Sequence, residues 1–325
     1  MGLLLYQNFD GISLQYEGNW SKSTNDEWTD KAFFISNDDG SNSFTFTPKN
    51  EIDYSKLEWM IDQFKRKESS NIILDENQYQ NLLRNFKQAM HSRRIDKAIF
   101  SRIDQSVGTF NALKIYEALC HKYKGKAFIY LVADKLFGVW IGATPEILLK
   151  GDQSDFSTMA LAGTKARKAT LWGGKEIEEQ ELVADFIQLI LDKNGAENLI
   201  RGKTETVFSG SVYHLSTKFR FQYSIHKIAK LIHELHPTPA VCGLPRSEAM
   251  KLIRETEPHQ RSFYTGILGW INKKQVQTFV NLRCMELFEN SADLYVGGGI
   301  TNDSVVKDEW IETQIKADTL KSVFS

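Results

Sequence analysis

The chain has 325 residues, 42% of them hydrophobic and 12% aromatic, enough to bury a large core. Its formal net charge is −1, and its only basic clusters are Lys65-Arg-Lys67 and Arg93-Arg94, which excludes the electrostatic footprint of a nucleic-acid or anionic-membrane binder. Cys120, Cys242 and Cys284 are scattered and odd in number, so neither a disulfide framework nor a structural zinc site is expected.

Six prolines, no low-complexity tract and no repeat period argue for one domain over 1–325, with 1–75 as its less informative part and 76–325 as its core. Met1-Gly-Leu-Leu-Leu-Tyr6 is too short an apolar run for a leader, and no later stretch spans a bilayer, so a cytoplasmic protein is expected. In the first part, alternation in 32–36 and 43–47 predicts two antiparallel strands joined by a turn at Asn37-Asp-Asp-Gly40. A helix follows over 76–94, with Leu82, Leu83, Phe86 and Met90 on one face.

The strand Lys97–Arg102 alternates, so that Lys97, Ile99 and Ser101 point one way and Ala98, Phe100 and Arg102 the other. A lysine at a strand's start is usually a solvated edge charge. A helix over 111–123 and strands over 127–132 and 136–141 lead to Gly142-Ala-Thr-Pro-Glu146, where Glu146 lies beside a proline turn. The apolar strand 158–164 ends in Gly163-Thr164, whose backbone and hydroxyl can approach a ligand closely.

In the acidic helix over 175–190, the buried stripe through Val183, Phe186, Ile187 and Ile190 runs back to Glu179 and Glu176, while Glu178 and Glu181 turn away. Inward carboxylates need a cation, because burying one alone costs several kcal/mol or shifts its pKa. Residues 206–213 read as a strand ending in His214, 224–235 and 246–256 as helices, and 263–270, 276–284 and 294–296 as a meander whose middle strand carries Arg283. Strands outnumber crossover helices, which favours α+β layering over a doubly wound fold.

The last forty residues read as a strand, a turn at Gly297-Gly-Gly299 and a helix capped by Asp303 or Ser304. Bare backbone beside a helix start is a seat for an anion. In that helix Glu309 and Glu312 share one face, which is either a solvated acidic face with a Glu312–Lys316 pair or one half of a cation site. Combined with Glu179 and Glu176, the second reading puts a hard cation between two helices, with Glu179 and Glu312 as direct ligands and Glu176 and Glu309 held through water. Magnesium suits so few carboxylates, since it keeps several waters and completes its shell with substrate oxygens.

With these residues collected, the chain resembles the chorismate-utilising enzymes, the anthranilate synthase component I-like family, and within it the isochorismate synthases. The motifs occur in family order from residue 76 to the end: Lys97-Ala-Ile-Phe-Ser-Arg, Gly142-Ala-Thr-Pro-Glu, Ala160-Leu-Ala-Gly-Thr, the acidic helix, Tyr213-His-Leu, His236-Pro-Thr-Pro-Ala, Arg261-Ser-Phe-Tyr-Thr-Gly, Leu282-Arg-Cys, Gly297-Gly-Gly-Ile and Glu309-Trp-Ile-Glu-Thr. The resemblance implies a single large α+β domain of two stacked, mainly antiparallel sheets with helices on the outer faces.

It also implies a magnesium-dependent conversion of chorismate to isochorismate, feeding menaquinone or siderophore synthesis. By motif, Lys97 matches the base that activates water, and Glu146 the acid that protonates the leaving hydroxyl and must keep its proton near neutral pH. Magnesium on Glu179 and Glu312 would hold the ring carboxylate. Arg283, Gly298, Gly299 and Tyr264 match the residues that hold the enolpyruvyl carboxylate, and Thr164, His214 and Lys316 match positions near the substrate.

Ala162 stands where aminodeoxychorismate synthases carry a nucleophilic lysine, and Lys97 argues for water over ammonia, so no glutaminase partner is expected. A monomer or weak homodimer is expected. Two alternatives stand beside this reading, a salicylate synthase that goes on to eliminate pyruvate and a non-catalytic chorismate-binding homologue. Tyr264 and Leu282 look like the former, and Ala240 like a plain isochorismate synthase.

Overall fold

Among the described residues every pairing between the named strands is antiparallel, and the pairings join end to end into one ladder. The computed structural model describes residues 1–23, 32–165, 171–209 and 212–324. In chain order the elements are β1 (Gly2–Gln7), β2 (Ser13–Ser23), β3 (Phe33–Ser36), β4 (Ser43–Glu51), α1 (Tyr54–Asp62), α2 (Glu76–Arg93), β5 (Lys97–Val107), α3 (Ala112–Tyr123), β6 (Phe128–Asp134), β7 (Gly138–Thr144), β8 (Ile147–Asp152), β9 (Asp155–Lys165), α4 (Gly174–Lys193), β10 (Glu197–Arg201), β11 (Glu205–Ser209), β12 (Val212–Gln222), α5 (Ile228–Leu235), β13 (Gly243–Leu244), α6 (Arg246–Thr256), β14 (Ile267–Ile271), β15 (Gln275–Val280), β16 (Cys284–Leu287), β17 (Ser291–Thr301) and α7 (Val306–Lys321).

The ladder runs β13-β5-β17-β16-β7-β6-β1-β2-β4-β3-β14-β15-β8-β9-β12, with β10 and β11 sharing the far edge of β12. It folds over into two leaves, as the alternation of side chains shows. Leu4, Phe128, Tyr130 and Trp140 of the first leaf meet Phe33, Ile35, Leu268 and Phe279 of the second in one aromatic-rich core. Their neighbours Leu3, Leu5, Ile129 and Leu131 face outward to α1 and α3. On the second leaf Phe34, Leu149 and Phe219 face outward to α4 and α5. Helices α2, α6 and α7 cover the outer face of β5 and β17 around Phe100, Ile300 and Trp310.

The expected α+β fold with outer helices is what the chain adopts, and its two stacked layers are halves of a single continuous sheet. The N-terminal strands, the least informative part of the sequence, are its bridge: β1 pairs with β6, and β3 with β14. The hairpin expected around 37–40 joins β3 to β4.

Other local expectations change. The strand expected over 206–213 is two paired strands, β11 and β12, whose joining residues 210 and 211 lie outside the described residues. Residues 297–299 form no turn but continue β17, paired to Ser101, Phe100 and Ile99 of β5. Neither Asp303 nor Ser304 caps α7, whose N-cap position is Val305; Ser304 Oγ instead accepts from the Thr301 amide at 3.1 Å. Arg283 lies between β15 and β16 at a φ of 50°, so the expected single strand is broken there.

Ile35 is fully buried between the leaves on the bridging β3. Ile35→Ala is expected to cost about 2–5 kcal/mol of unfolding free energy in urea. A loss under about 1 kcal/mol would mean that β3 is not part of the cooperative core.

Candidate active site

The two leaves and the helices α4 and α7 enclose a cleft lined by residues far apart in sequence, among them Glu146, Thr164, Glu179, His214, Tyr264, Arg283, Gly297–Gly299, Glu312 and Lys316. Its non-atom space, open mouth included, is about 790 Å³.

The three glycines are needed for what stands against them. A methyl group on Gly299 would lie 2.5 Å from Glu179 Oε1 and 3.2 Å from Lys97 Cε, and one on Gly298 would lie 3.0 Å from Glu309 Oε2. One on Gly297 would lie 3.0 Å from the Tyr264 hydroxyl. The bare strand therefore makes room for carboxylates delivered by two helices and for a phenol.

Three of those carboxylates converge, each beside a lysine. Lys97 Nζ lies 3.0 Å from Glu179 Oε1, Lys175 donates to Glu309 Oε1 at 2.7 Å, and Lys316 is 2.8 Å from Glu312 Oε1. Burial and the like charge of Glu312 push the Glu309 carboxyl up, against the pull of Lys175. Glu176 stands apart from the group, because its carboxylate accepts from the Gly173 amide at 3.0 Å and caps its own helix start.

Among the described residues, no three acidic, histidine or cysteine side chains stand in a ligating arrangement, and each of the three carboxylates is paired to its own lysine. The donor set still suits a hard divalent cation. Glu309 Oε2 is buried with no hydrogen-bond partner, and the bare backbone at Gly298 and Gly299 leaves room for Glu309, Glu312 and Glu179 against the strand.

Lys97 is fully buried and does not line the cleft; Glu179 and Gly299 lie against it, and Nζ has no hydrogen bond of proper direction. Ala98 and Phe100 pack under the outer helices, while Arg102 lies with its guanidinium carbon 4.1 Å from the Trp310 ring centroid. This is the alternation that the sequence predicts. Glu146 is buried in the cleft wall, and burial pushes its carboxyl up to about 8 against the opposing influence of Lys97 and Thr238.

On the opposite wall, β9 carries a bulge. Gly163, at a φ of 64°, is left without a partner as the register shifts opposite His214 and Leu215. Its freed carbonyl accepts from His214 Nδ1 at 2.8 Å, and Arg283 donates to His214 Nε2 at 2.8 Å. The ring is thereby fixed as the neutral Nδ1–H tautomer. Burial, with Arg283 next to it, lowers its pKa to about 3. Thr164 Oγ1 stands 3.4 Å from the same ring, and burial lowers the Arg283 guanidinium to about 10. Lys316 also donates to the Gly297 carbonyl at 2.7 Å.

Sequence reasoning missed Gln180, fully buried on α4, which accepts from the Ala162 amide at 2.8 Å and donates to Thr217 at 2.9 Å. Its signal was a polar residue on the stripe of Val183 and Ile187. It also missed Lys175, whose exposed-looking sequence context gives no hint of the Glu309 across the fold.

The family model described as chorismate binding enzyme matches residues 36–325. Isochorismate synthase EntC of Escherichia coli (strain K12) is 33% identical over 200 residues, 58% of this chain and 51% of the relative. Isochorismate synthase MenF of Bacillus subtilis (strain 168) is 28% identical over 278 residues, 80% of this chain and 59% of the relative. The matched stretches thus span little more than half of these curated relatives. The solved structure of MenF, the menaquinone-specific isochorismate synthase from Escherichia coli, superposes with a TM-score of 0.83 at 20% identity, covering 100% of this chain and 89% of that one. At that identity the likeness speaks for the fold.

The locked histidine gives a test that needs no substrate. In ¹⁵N-resolved spectra, His214 is expected to stay the Nδ1–H tautomer from about pH 5 to pH 8, because its pKa is held far below the ordinary value. A midpoint near the usual histidine value of about 6.5 would contradict the assigned geometry.

Proposed function

The chain belongs to the chorismate-binding enzyme family, and from that premise we propose that it is an isochorismate synthase, an isomerase. The observation that carries this reading is Glu146, a carboxyl buried in the cleft wall, where burial pushes it up to about 8. A protonated acid facing a small-molecule cleft, with a buried lysine behind the opposite floor, is the pairing that exchange of a ring hydroxyl for water requires.

In the reaction, water bonds to one ring carbon as the double bonds shift and the hydroxyl leaves from another. Lys97, as the free amine once Glu179 no longer covers it, takes the proton of the attacking water, and Glu146 gives its proton to the departing hydroxyl. Arg283, held against His214, faces the enolpyruvyl carboxylate, with Tyr264 and the Gly298–Gly299 backbone beside it. Thr164 and His214 orient the ring edge. Glu179, Glu309 and Glu312 would hold magnesium, which when bound supplies positive charge for the ring carboxylate. Lys97 and Glu146 together oppose a binding protein without turnover, which has no need of both.

The salicylate synthase reading turns on how tightly the intermediate is held. Ala240, Tyr264 and Leu282 all line the cleft. Ala240 brings no hydroxyl to that wall, and one bond from Tyr264 is worth about 0.5–1.5 kcal/mol, only a several-fold change in partition. Released isochorismate is therefore the expected product.

Incubation with chorismate and magnesium should accumulate isochorismate, and Glu312→Gln should lose the magnesium-dependent turnover while remaining folded. Salicylate and pyruvate rising in step with chorismate loss would instead install the lyase. Lys97→Ala is expected to bind chorismate and to lose about 10²–10⁴ in kcat; an unchanged kcat would reduce Lys97 to a buried structural charge.

Because the acid must be protonated, kcat should fall as pH rises through the Glu146 value of about 8. The expected slope is about tenfold per unit. A rate that is flat from pH 7 to 10 would remove Glu146 from the acid role.

A further inference from the structure

Behind the cleft floor, outside its lining, lies a buried network that the reaction as derived does not use. Strand β5 pairs with β17 along one edge, but among the described residues its other edge has only the two-residue β13, opposite Lys97 and Ala98. Backbone groups farther along that edge need partners, because a buried unpaired amide or carbonyl costs as much as a lost hydrogen bond. Side chains supply them. Arg261 donates to the Ile99 carbonyl at 3.2 Å, and the Glu257 carboxylate accepts from the Ser101 amide at 2.7 Å and its hydroxyl at 2.8 Å.

The same two residues bind each other twice, Nε to Oε2 at 2.8 Å and a terminal guanidinium nitrogen to Oε1 at 2.7 Å. Arg261 also donates to the Val241 carbonyl at 2.8 Å and to Thr265 Oγ1 at 3.4 Å. Ile99, Val241, Tyr264 and Thr265 all line the cleft, so one ion pair joins three separate walls. His259 Nε2 lies 3.1 Å from Ser101 Oγ, which gives a serine, a histidine and a carboxylate in contact. They form no nucleophilic triad, since all three are buried and none lines the cleft.

A buried ion pair is weak ground for stability, because desolvation offsets most of its attraction and apolar replacements often do as well. We infer that Glu257 and Arg261 are positioning residues, which stand in for a missing strand along β5 and set the spacing between the Lys97-bearing strand and the walls at 241 and 264–265. The inference about turnover rests on the isochorismate synthase reading. The geometric part does not.

Two variants of the protein separate positioning from stability. Arg261→Lys keeps the charge beside Glu257 but loses the fork that reaches Ile99 and Val241, and Glu257→Met with Arg261→Met removes the pair. Each is expected to retain one chorismate site per chain by calorimetry with magnesium and a KM within about threefold, while kcat per titrated site falls roughly 10- to 100-fold. Hydrogen exchange should quicken at 97–101, 241–243 and 263–266 and stay unchanged elsewhere. If the double variant does not fold, Arg261→Lys alone decides.

Unchanged kcat per site with exchange faster everywhere would make the pair merely structural and overturn the inference, as would exchange unchanged at those three segments. Absence of chorismate turnover in the unsubstituted protein would sink the functional reading, and the local exchange pattern would still decide the geometric one.

Discussion

The pairing of β5 with β17 is the constraint on which the site depends. It sets Gly297 opposite Ser101, Gly299 opposite Ile99 and Thr301 opposite Lys97. A strand can hold three consecutive glycines only at a cost in stability, because each loses more backbone entropy than other residues and packs nothing. The return is a length of sheet with no side chains, against which Glu179, Glu309, Glu312 and Tyr264 can close. With any larger residue at 299, the Lys97–Glu179 pair would be pushed apart.

Electrostatics follows from that geometry. Three carboxylates brought so close repel one another, and the chain answers with Lys97, Lys175 and Lys316, each contributed by a different element. The pairs keep the anionic cluster compact as it stands and leave Glu309 with one buried, unpartnered oxygen. Across the cleft the opposite problem is solved with neutral groups. His214 is held uncharged between a carbonyl and Arg283, and Glu146 keeps its proton through burial. The cleft thus has an acidic floor with cationic partners and, on its walls, the Arg283 guanidinium beside a neutral His214 and a Glu146 carboxyl pushed up by burial.

Supporting structure lies behind both faces. Gln180 ties α4 to the bulged β9 at Ala162 and to β12 at Thr217. Arg102, over Trp310 and donating to Thr313 at 2.9 Å, ties α7 to β5. The N-terminal strands hold the two leaves in one ladder, so the region without chemistry sets the distance across which the chemistry is arranged.

Local pattern alone determined a good deal. Period-two alternation gave the sidedness of Lys97 to Arg102, and the apolar stripe of α4 gave the inward turn of Glu179. Spacing by three gave the common face of Glu309 and Glu312. These follow from the fixed geometry of strands and helices, so they are legible in one dimension. The ordered motifs then indicated the α+β fold. What the sequence could not decide was everything set by a partner distant along the chain. Gly297–Gly299 reads as a turn by composition, yet β5 holds it extended. Glu176 reads as inward, yet a backbone amide of its own helix start claims it. Arg283 reads as part of a strand, yet the break between β15 and β16 turns it toward His214. Lys175, Gln180 and Arg261 carry no local mark of their roles, because an ion pair or a side-chain hydrogen bond is defined by closeness in space, and only the tertiary fold creates that.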